Sequence, residues 1–262
     1  MEPQAEDNPD RCRDLMGRAV QAGGAILRAA ADAPEVVTQD GRDIKLAQDR
    51  LSQDAILRVL REESALPVLT EESGWVGAAP IQEDALYWTV DPLDGSYNYA
   101  RGLPLYCVCL ALCRGWTPLY GCTLDAARGE LFWGGRSVGL EVDGRPVAPA
   151  APRRDVFATG LPVAGDHDAA GQRLQAAVQG WRKVRMIGTA GLSLAWVARG
   201  AMDGYAEVGI RWWDVAAGLA LVEGAGGAYT AKGEALTAPL AVSASRASLS
   251  EAARSSSEAS CP

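Results

Sequence analysis

The chain has 262 residues, 48% of them apolar, and a formal net charge of −8. That length covers one large domain or two modest ones with a sizeable core. The acidic balance excludes a nucleic-acid grip built on clustered Lys and Arg. No run of about 18 uncharged apolar residues marks a membrane span, and the acidic, polar start does not read as a signal peptide.

The elements follow in chain order. Residues 12–33 carry a helical stripe of Leu15, Ala19, Gly23, Ile26, Leu27 and Ala30. A polar stretch, TQDGRDIKLAQD, precedes a second helix that starts at Asp49 or Ser52, with Leu51, Ala55, Ile56, Val59 and Leu60 on one side. The strand PVLT runs into Glu71-Glu72, and the loop SGWVGAAPIQED leads to the strand Trp88-Thr89-Val90, which meets Asp91. A β-rich block follows, with DAARG and Asp143-Gly144 as hairpin turns. The Pro- and Ala-rich segment near 148–155 marks a boundary between an N-terminal half, 1–150, and a C-terminal half, 151–262. The second half alternates strand and helix and closes in a Ser/Ala-rich tail.

The six cysteines (Cys12, Cys107, Cys109, Cys113, Cys122 and Cys261) include no CxxC pair. Cys107, Cys109 and Cys113 share one strand parity, which reads as core thiols in a reduced, cytoplasmic protein rather than a zinc site. The one histidine, His167, falls in an expected surface loop. Serine–histidine and cysteine–histidine chemistry are therefore disfavoured. No GxxxxGK[ST] loop supports a nucleotide kinase.

Carboxylates remain. Glu71, Asp91, Asp94 and Asp214 stand at predicted strand ends or helix starts, where sites collect in α/β proteins. Clustered carboxylates repel unless a cation sits among them, and oxygen donors without histidine favour Mg²⁺. Pro92 pushes Asp91 toward extended backbone, Leu93 offers a carbonyl, and Gly95 lets the chain turn close to a ligand. A helix opening at Ser96 would face free amides to an anion. Taken alone, D-P-x-D-G is also an ordinary turn, and Asp49 is also a plausible helix cap.

The combination resembles the inositol monophosphatase family of metal-dependent, lithium-sensitive phosphatases. DPLDGSYNY matches D-P-[IL]-D-G-[TS]-x-N-[FY], and WDVAAGLALVEGAGG matches W-D-x-[AG]-[AG] followed by E-A-G-G with one extra glycine. LTEESG and VRMIGTAGLSLAWVARGAMDGYAEVGI resemble the other family segments, so the likeness runs from about residue 12 to about 250. It implies a layered α-β-α-β-α sandwich of the α+β class, a homodimer, and two or three Mg²⁺ ions. Glu71 (or Glu72 in its place), Asp91, Asp94, Asp214 and the Leu93 carbonyl are implied ligands. Gly95 and Ser96 would bind phosphate. Glu71 and Ser96, with Asp49 behind, would hold the attacking water. Ala190 and Glu207 would contact substrate, and Trp213 is a packing residue. Lys45 reads either as a phosphate contact or as a surface lysine, and Arg211 as a possible substrate contact. Ser96 and Gly191 replace the family's commoner threonine and alanine. The implied activity is hydrolysis of a small phosphorylated polyol, with inositol 1-phosphate as the default. Fructose 1,6-bisphosphate, 3′-phosphoadenosine 5′-phosphate, NADP and histidinol phosphate are alternatives, and a non-catalytic metal-binding homologue is the non-enzyme reading.

Overall fold

The computed structural model describes residues 8–40, 43–79, 84–148, 153–162 and 167–246. Cys261, the end of the Ser/Ala-rich tail and the middle of the expected boundary segment, 149–152, lie outside them.

Helix α1 (Pro9–Ala29) starts earlier than its apolar stripe indicates, because Asn8 caps it by accepting from the Asp10 and Arg11 amides. Such a cap is worth about 1 kcal/mol. The stretch read as polar loop instead forms a hairpin, β1 (Val36–Asp40) and β2 (Asp43–Leu46). Its alternation was hidden by charged residues, but Ile44 and Leu46 are buried. Helix α2 (Ala47–Glu63) follows at once. Its inner face is Ser52, Gln53, Ile56, Leu57 and Leu60, whereas Leu51, expected inside, is exposed. Gly23 lets α1 approach α2 closely, since a Cβ there would meet Ser52 Oγ at 2.7 Å and Ile56 Cδ1 at 2.8 Å.

Next come β3 (Val68–Thr70), β4 (Gly74–Val76), which lies in the stretch expected to be loop, and β5 (Leu86–Asp94). A short helix α3 (Ser96–Ala100) precedes a meander of β6 (Cys107–Arg114), β7 (Thr117–Asp125), β8 (Glu130–Gly135), β9 (Gly139–Val142) and β10 (Arg145–Pro146). Asp143 and Gly144 both take positive φ, 49° and 70°, as a tight two-residue hairpin requires. These strands make an eight-stranded sheet, ordered β10-β9-β8-β7-β6-β5-β3-β4.

The remaining elements are β11 (Val156–Thr159), α4 (His167–Gly180), β12 (Lys183–Arg185), α5 (Ala190–Ala198), β13 (Gly204–Ile210), α6 (Trp212–Gly224), β14 (Ala228–Gly233) and β15 (Leu240–Ser245). They supply a five-stranded sheet, ordered β12-β11-β13-β15-β14. His167 is exposed but is the first residue of α4, not a loop residue.

The layers follow from burial. On β6, Val108, Leu110 and Leu112 face α1 and α2, while Cys107, Cys109, Ala111 and Cys113 face α5 and α6. Coverage on both faces explains why LYCVCLALC is an unbroken apolar run. Helices α5 and α6 lie between the two sheets, and α4 packs on the outer side of the five-stranded sheet. The result is the α-β-α-β-α sandwich. Backbone approaches are close in the middle layer: a Cβ on Gly121 of β7 would lie 2.1 Å from the Ala217 carbonyl oxygen of α6. Among the described residues no helix is long and apolar enough to cross a membrane.

Candidate metal centre and active site

Strands β3 and β5 run parallel, pairing Thr70 with Val90. The next residue on each is an acid, so Glu71 and Asp91 emerge side by side at the carboxyl ends of two parallel strands. The Glu71 amide donates to the Val90 carbonyl at 3.3 Å. The strand does not stop at Asp91, as the sequence suggests. Pairing with β6 resumes at Asp94 after an irregularity over Pro92 and Leu93. Asp91 Oδ1 accepts the Leu93 amide at 3.0 Å, Ser52 Oγ donates to the Pro92 carbonyl at 2.8 Å, and the Leu93 side chain is buried. The Asp-Pro-Leu-Asp segment is therefore fixed on both flanks. Gly95 then takes φ +93°, where a Cβ would lie 2.8 Å from the Leu105 carbonyl oxygen. Only glycine meets both demands.

Two further carboxylates enter on helices, by one device. Asp49 is the third residue of α2, and its Oδ2 accepts the Leu46 amide at 2.6 Å. Asp214 is the third residue of α6, and its Oδ2 accepts the Arg211 amide at 2.9 Å. Each closes an orphan donor of its helix with one oxygen and keeps the other for the site. Asp49 thus serves as a cap and more: its Oδ1 lies 3.3 Å from Ser96 Oγ, which is also 3.0 Å from the Leu93 carbonyl. Oxygens of Glu71, Asp91 and Asp214 all lie within 4.8 Å of one another.

Asp94 borders this trio and is anchored from behind. Its Oδ2 accepts Thr189 Oγ1 at 2.5 Å and the Gly191 amide at 2.6 Å, and Cys107 Sγ lies 3.6 Å away. Thr189 caps α5, so Ala190 opens that helix beside Asp94. Asn98 Nδ2 ties the approach by donating to the Ile187 carbonyl at 2.8 Å. Glu207, on β13, is held by Tyr205 Oη, which donates to its Oε2 at 2.7 Å. Glu207 rests against Gly160, where a Cβ would meet both carboxylate oxygens at 2.3 and 2.4 Å. Both residues line a cavity of about 510 Å³ with Phe157, Trp181 and Arg154, and Glu71, Asp91, Asp94 and Asp214 stand outside its walls. Arg211 spends its guanidinium on the Thr237 carbonyl at 2.9 Å, and Trp213 packs against the middle-layer core.

Sequence reasoning missed Thr189 and Gly160, whose roles depend on contacts distant in the chain, and Tyr205, which stands two residues before Glu207 on the same strand. It also left Lys45 open. Lys45 Nζ lies 2.5 Å from Glu71 Oε1 and 2.6 Å from Glu72 Oε1. Burial opposes the lysine charge, but the two glutamates outweigh it and its pKa is raised.

Electrostatically the cluster is short of positive charge. Burial, then Glu71, Asp94 and Asp214, pushes the Asp91 carboxyl well up. Burial, then Glu71 and Asp94, does the same to Asp214. Burial lifts Asp94 to about 6, and Asp49 and Glu207 each to about 7. Carboxylates brought this close at the end of a sheet, all hard oxygen donors, fit a divalent cation such as Mg²⁺.

The metal-free protein should report this through stability. Carboxyls whose folded pKa is raised bind more protons folded than unfolded, so stability is highest on the acid side and falls as pH climbs through the raised values. Asp94, Asp49 and Glu207 set that window between about pH 4 and about pH 7, at roughly 1.4 kcal/mol per group and pH unit at most. The melting temperature of the metal-free protein is expected to fall from about pH 4 to about pH 7, and an added divalent cation to restore more of it at the higher pH. A shallower slope in Asp49→Asn than in the unchanged chain would assign Asp49 its share of the effect.

The family model described as "Inositol monophosphatase family" matches residues 11–259. Nus factor SuhB of Xylella fastidiosa is 34% identical over 226 residues, covering 82% of this chain and 79% of that one. Inositol-1-monophosphatase of Mesorhizobium japonicum is 33% identical, covering 81% and 82%. Among solved structures, the extragenic suppressor protein suhB of Bartonella henselae superposes with a TM-score of 0.77 at 29% identity, covering 88% and 93%. Inositol monophosphatase of Anabaena gives 0.73 at 30%, covering 89% of each chain. The chain belongs to the inositol monophosphatase family, a family of phosphatases.

Proposed function

We propose that this chain is a Mg²⁺-dependent phosphomonoesterase acting on a small phosphorylated polyol, with inositol 1-phosphate as the first substrate to test. The observation that carries this reading is the convergence of Glu71, Asp91 and Asp214 within 4.8 Å, beside Asp94 and the Ser96–Asp49 pair. Relatives named Nus factor SuhB and relatives named inositol-1-monophosphatase are about equally similar, so names do not select a substrate.

Glu71, Asp91, Asp94, Asp214 and the Leu93 carbonyl would hold the metal. Mg²⁺ bound there supplies positive charge for the phosphate oxygens and the leaving alkoxide, and lowers the pKa of a nearby water. The chain's own groups do the rest. Asp49 would accept a hydrogen bond from the Ser96 hydroxyl, which turns a Ser96 lone pair toward a water, and Glu71 would accept that water's proton. The amides of Gly95 and Ser96 seat the phosphate. Glu207 has one oxygen bound by Tyr205 and the other left to accept from a sugar hydroxyl.

Phosphate release from a panel of phosphomonoesters, with and without Mg²⁺, tests the reading. No Mg²⁺-dependent release from any of them by folded protein would sink it. The polyol assignment has its own test. Glu207→Gln and Gly160→Ala are each expected to raise KM for the polyol phosphate about tenfold, the worth of one charged hydrogen bond. KM for an aryl phosphate without hydroxyls should stay within about twofold.

A further inference from the structure

One group in the centre has no place in the mechanism above. Lys45 sits on β2 between two buried residues, Ile44 and Leu46, and opposite Thr38 in the β1–β2 register. The strand passes directly into α2, which carries Asp49. Lys45 is thus presented by a paired strand rather than a surface loop. Its side chain is 30% exposed, and its ammonium makes the ion pairs that the cluster has among the described residues, to Glu71 at 2.5 Å and Glu72 at 2.6 Å.

The ammonium occupies ground a cation would want. A Mg²⁺ on Glu71 Oε1 would stand about 2.1 Å from that oxygen. Such an ion would share the oxygen with Nζ and be repelled by it at short range. Glu72 adds a second carboxylate facing the same point, so the position between the two glutamates is already satisfied by the chain itself. An ammonium has three donors, and two are used here. The third is left for a phosphate oxygen or a water.

We infer that Lys45 is a resident cation that takes the place of one divalent ion on the Glu71–Glu72 side, so that this enzyme works with one metal fewer than its carboxylate set would hold. The inference rests on the metal-dependent reading above, and its test is a count of ions rather than a rate. Mn²⁺ bound per chain is measured by electron paramagnetic resonance in the unchanged protein, in Lys45→Met, in Lys45→Arg and in Lys45→Met/Glu72→Gln. Circular dichroism confirms that each is folded.

Lys45→Met is expected to hold one Mn²⁺ more than the unchanged chain, Lys45→Arg the same number as the unchanged chain, and the double variant to lose the added ion. Equal counts in Lys45→Met and the unchanged chain overturn the inference, even if affinity rises. So does an added ion that persists without Glu72. If Lys45→Met does not fold, an extra ion in Lys45→Arg overturns it equally, and Lys45→Gln replaces the methionine variant in the count. Equal counts together with divalent-dependent phosphate release remove only the Lys45 assignment. Absence of that release in the unchanged protein removes the phosphatase reading itself.

Discussion

Asp91→Asn is expected to lower phosphatase activity about 10³-fold or more while leaving the fold intact. Asp91 is 1% exposed, and its Oδ1 holds the Leu93 amide at 3.0 Å. Asparagine keeps that acceptor, so the Asp-Pro-Leu-Asp turn survives. What it loses is one negative charge at the centre of the cluster, where Glu71, Asp94 and Asp214 all act on it. A metal ion contributes several kcal/mol of charge stabilisation in a phosphoryl-transfer transition state, which sets the size of the loss. Stability gives an independent reading. A ligand at about 100 times its Kd raises stability by about 2.7 kcal/mol, and that Mg²⁺-dependent gain should shrink in Asp91→Asn. Full activity together with an unchanged Mg²⁺ effect on melting would remove Asp91 from the centre.

The sequence carried much of this site because its parts are local. Asp91, Pro92, Asp94, Gly95 and Ser96 lie within one turn of chain, and their types already state the geometry: an extended acid, a bound carbonyl and a positive φ. Glu71 follows a strand and Asp214 opens a helix, so periodicity alone puts both at element ends. The β1–β2 hairpin was less legible, because its polar residues masked the two inward positions Ile44 and Leu46. The inner face of α2 came out rotated, since Ser52 and Gln53 are buried for their hydrogen bonds to Pro92 and Ser73 rather than for apolarity. Hardest to read were the supports that arrive from far along the chain. Thr189 behind Asp94 and Gly160 behind Glu207 are ordinary residue types with no spacing rule. Lys45 is the intermediate case: its proximity to Asp49 was visible, but its pairing with Glu71 needed the fold.

Gly191→Ala is expected to damage the site more than a single methyl suggests. Read as sequence, Gly191 is only a glycine where alanine is commoner, and Cys107 and Cys109 are only core thiols. In the fold these three features form one packing unit behind Asp94. A Cβ on Gly191 would lie 2.4 Å from Cys109 Sγ, 2.8 Å from Cys107 Sγ and 3.0 Å from Asp94 Oδ2. Both sulfurs are fully buried, with Sγ atoms 3.7 Å apart, so neither has free space to retreat into. Overpacking of this kind costs about 1–3 kcal/mol. It also strains the 2.6 Å bond from the Gly191 amide to Asp94 Oδ2 and so turns a carboxylate of the proposed metal set. Gly191→Ala should therefore lower both the denaturation midpoint and the Mg²⁺ affinity. Cys109→Ala on that background removes the nearest sulfur and should recover a large part of both, with a coupling of about 1–2 kcal/mol between the two positions. Simple additivity of the two substitutions in stability and in Mg²⁺ affinity would show that the thiols and the glycine do not form one unit.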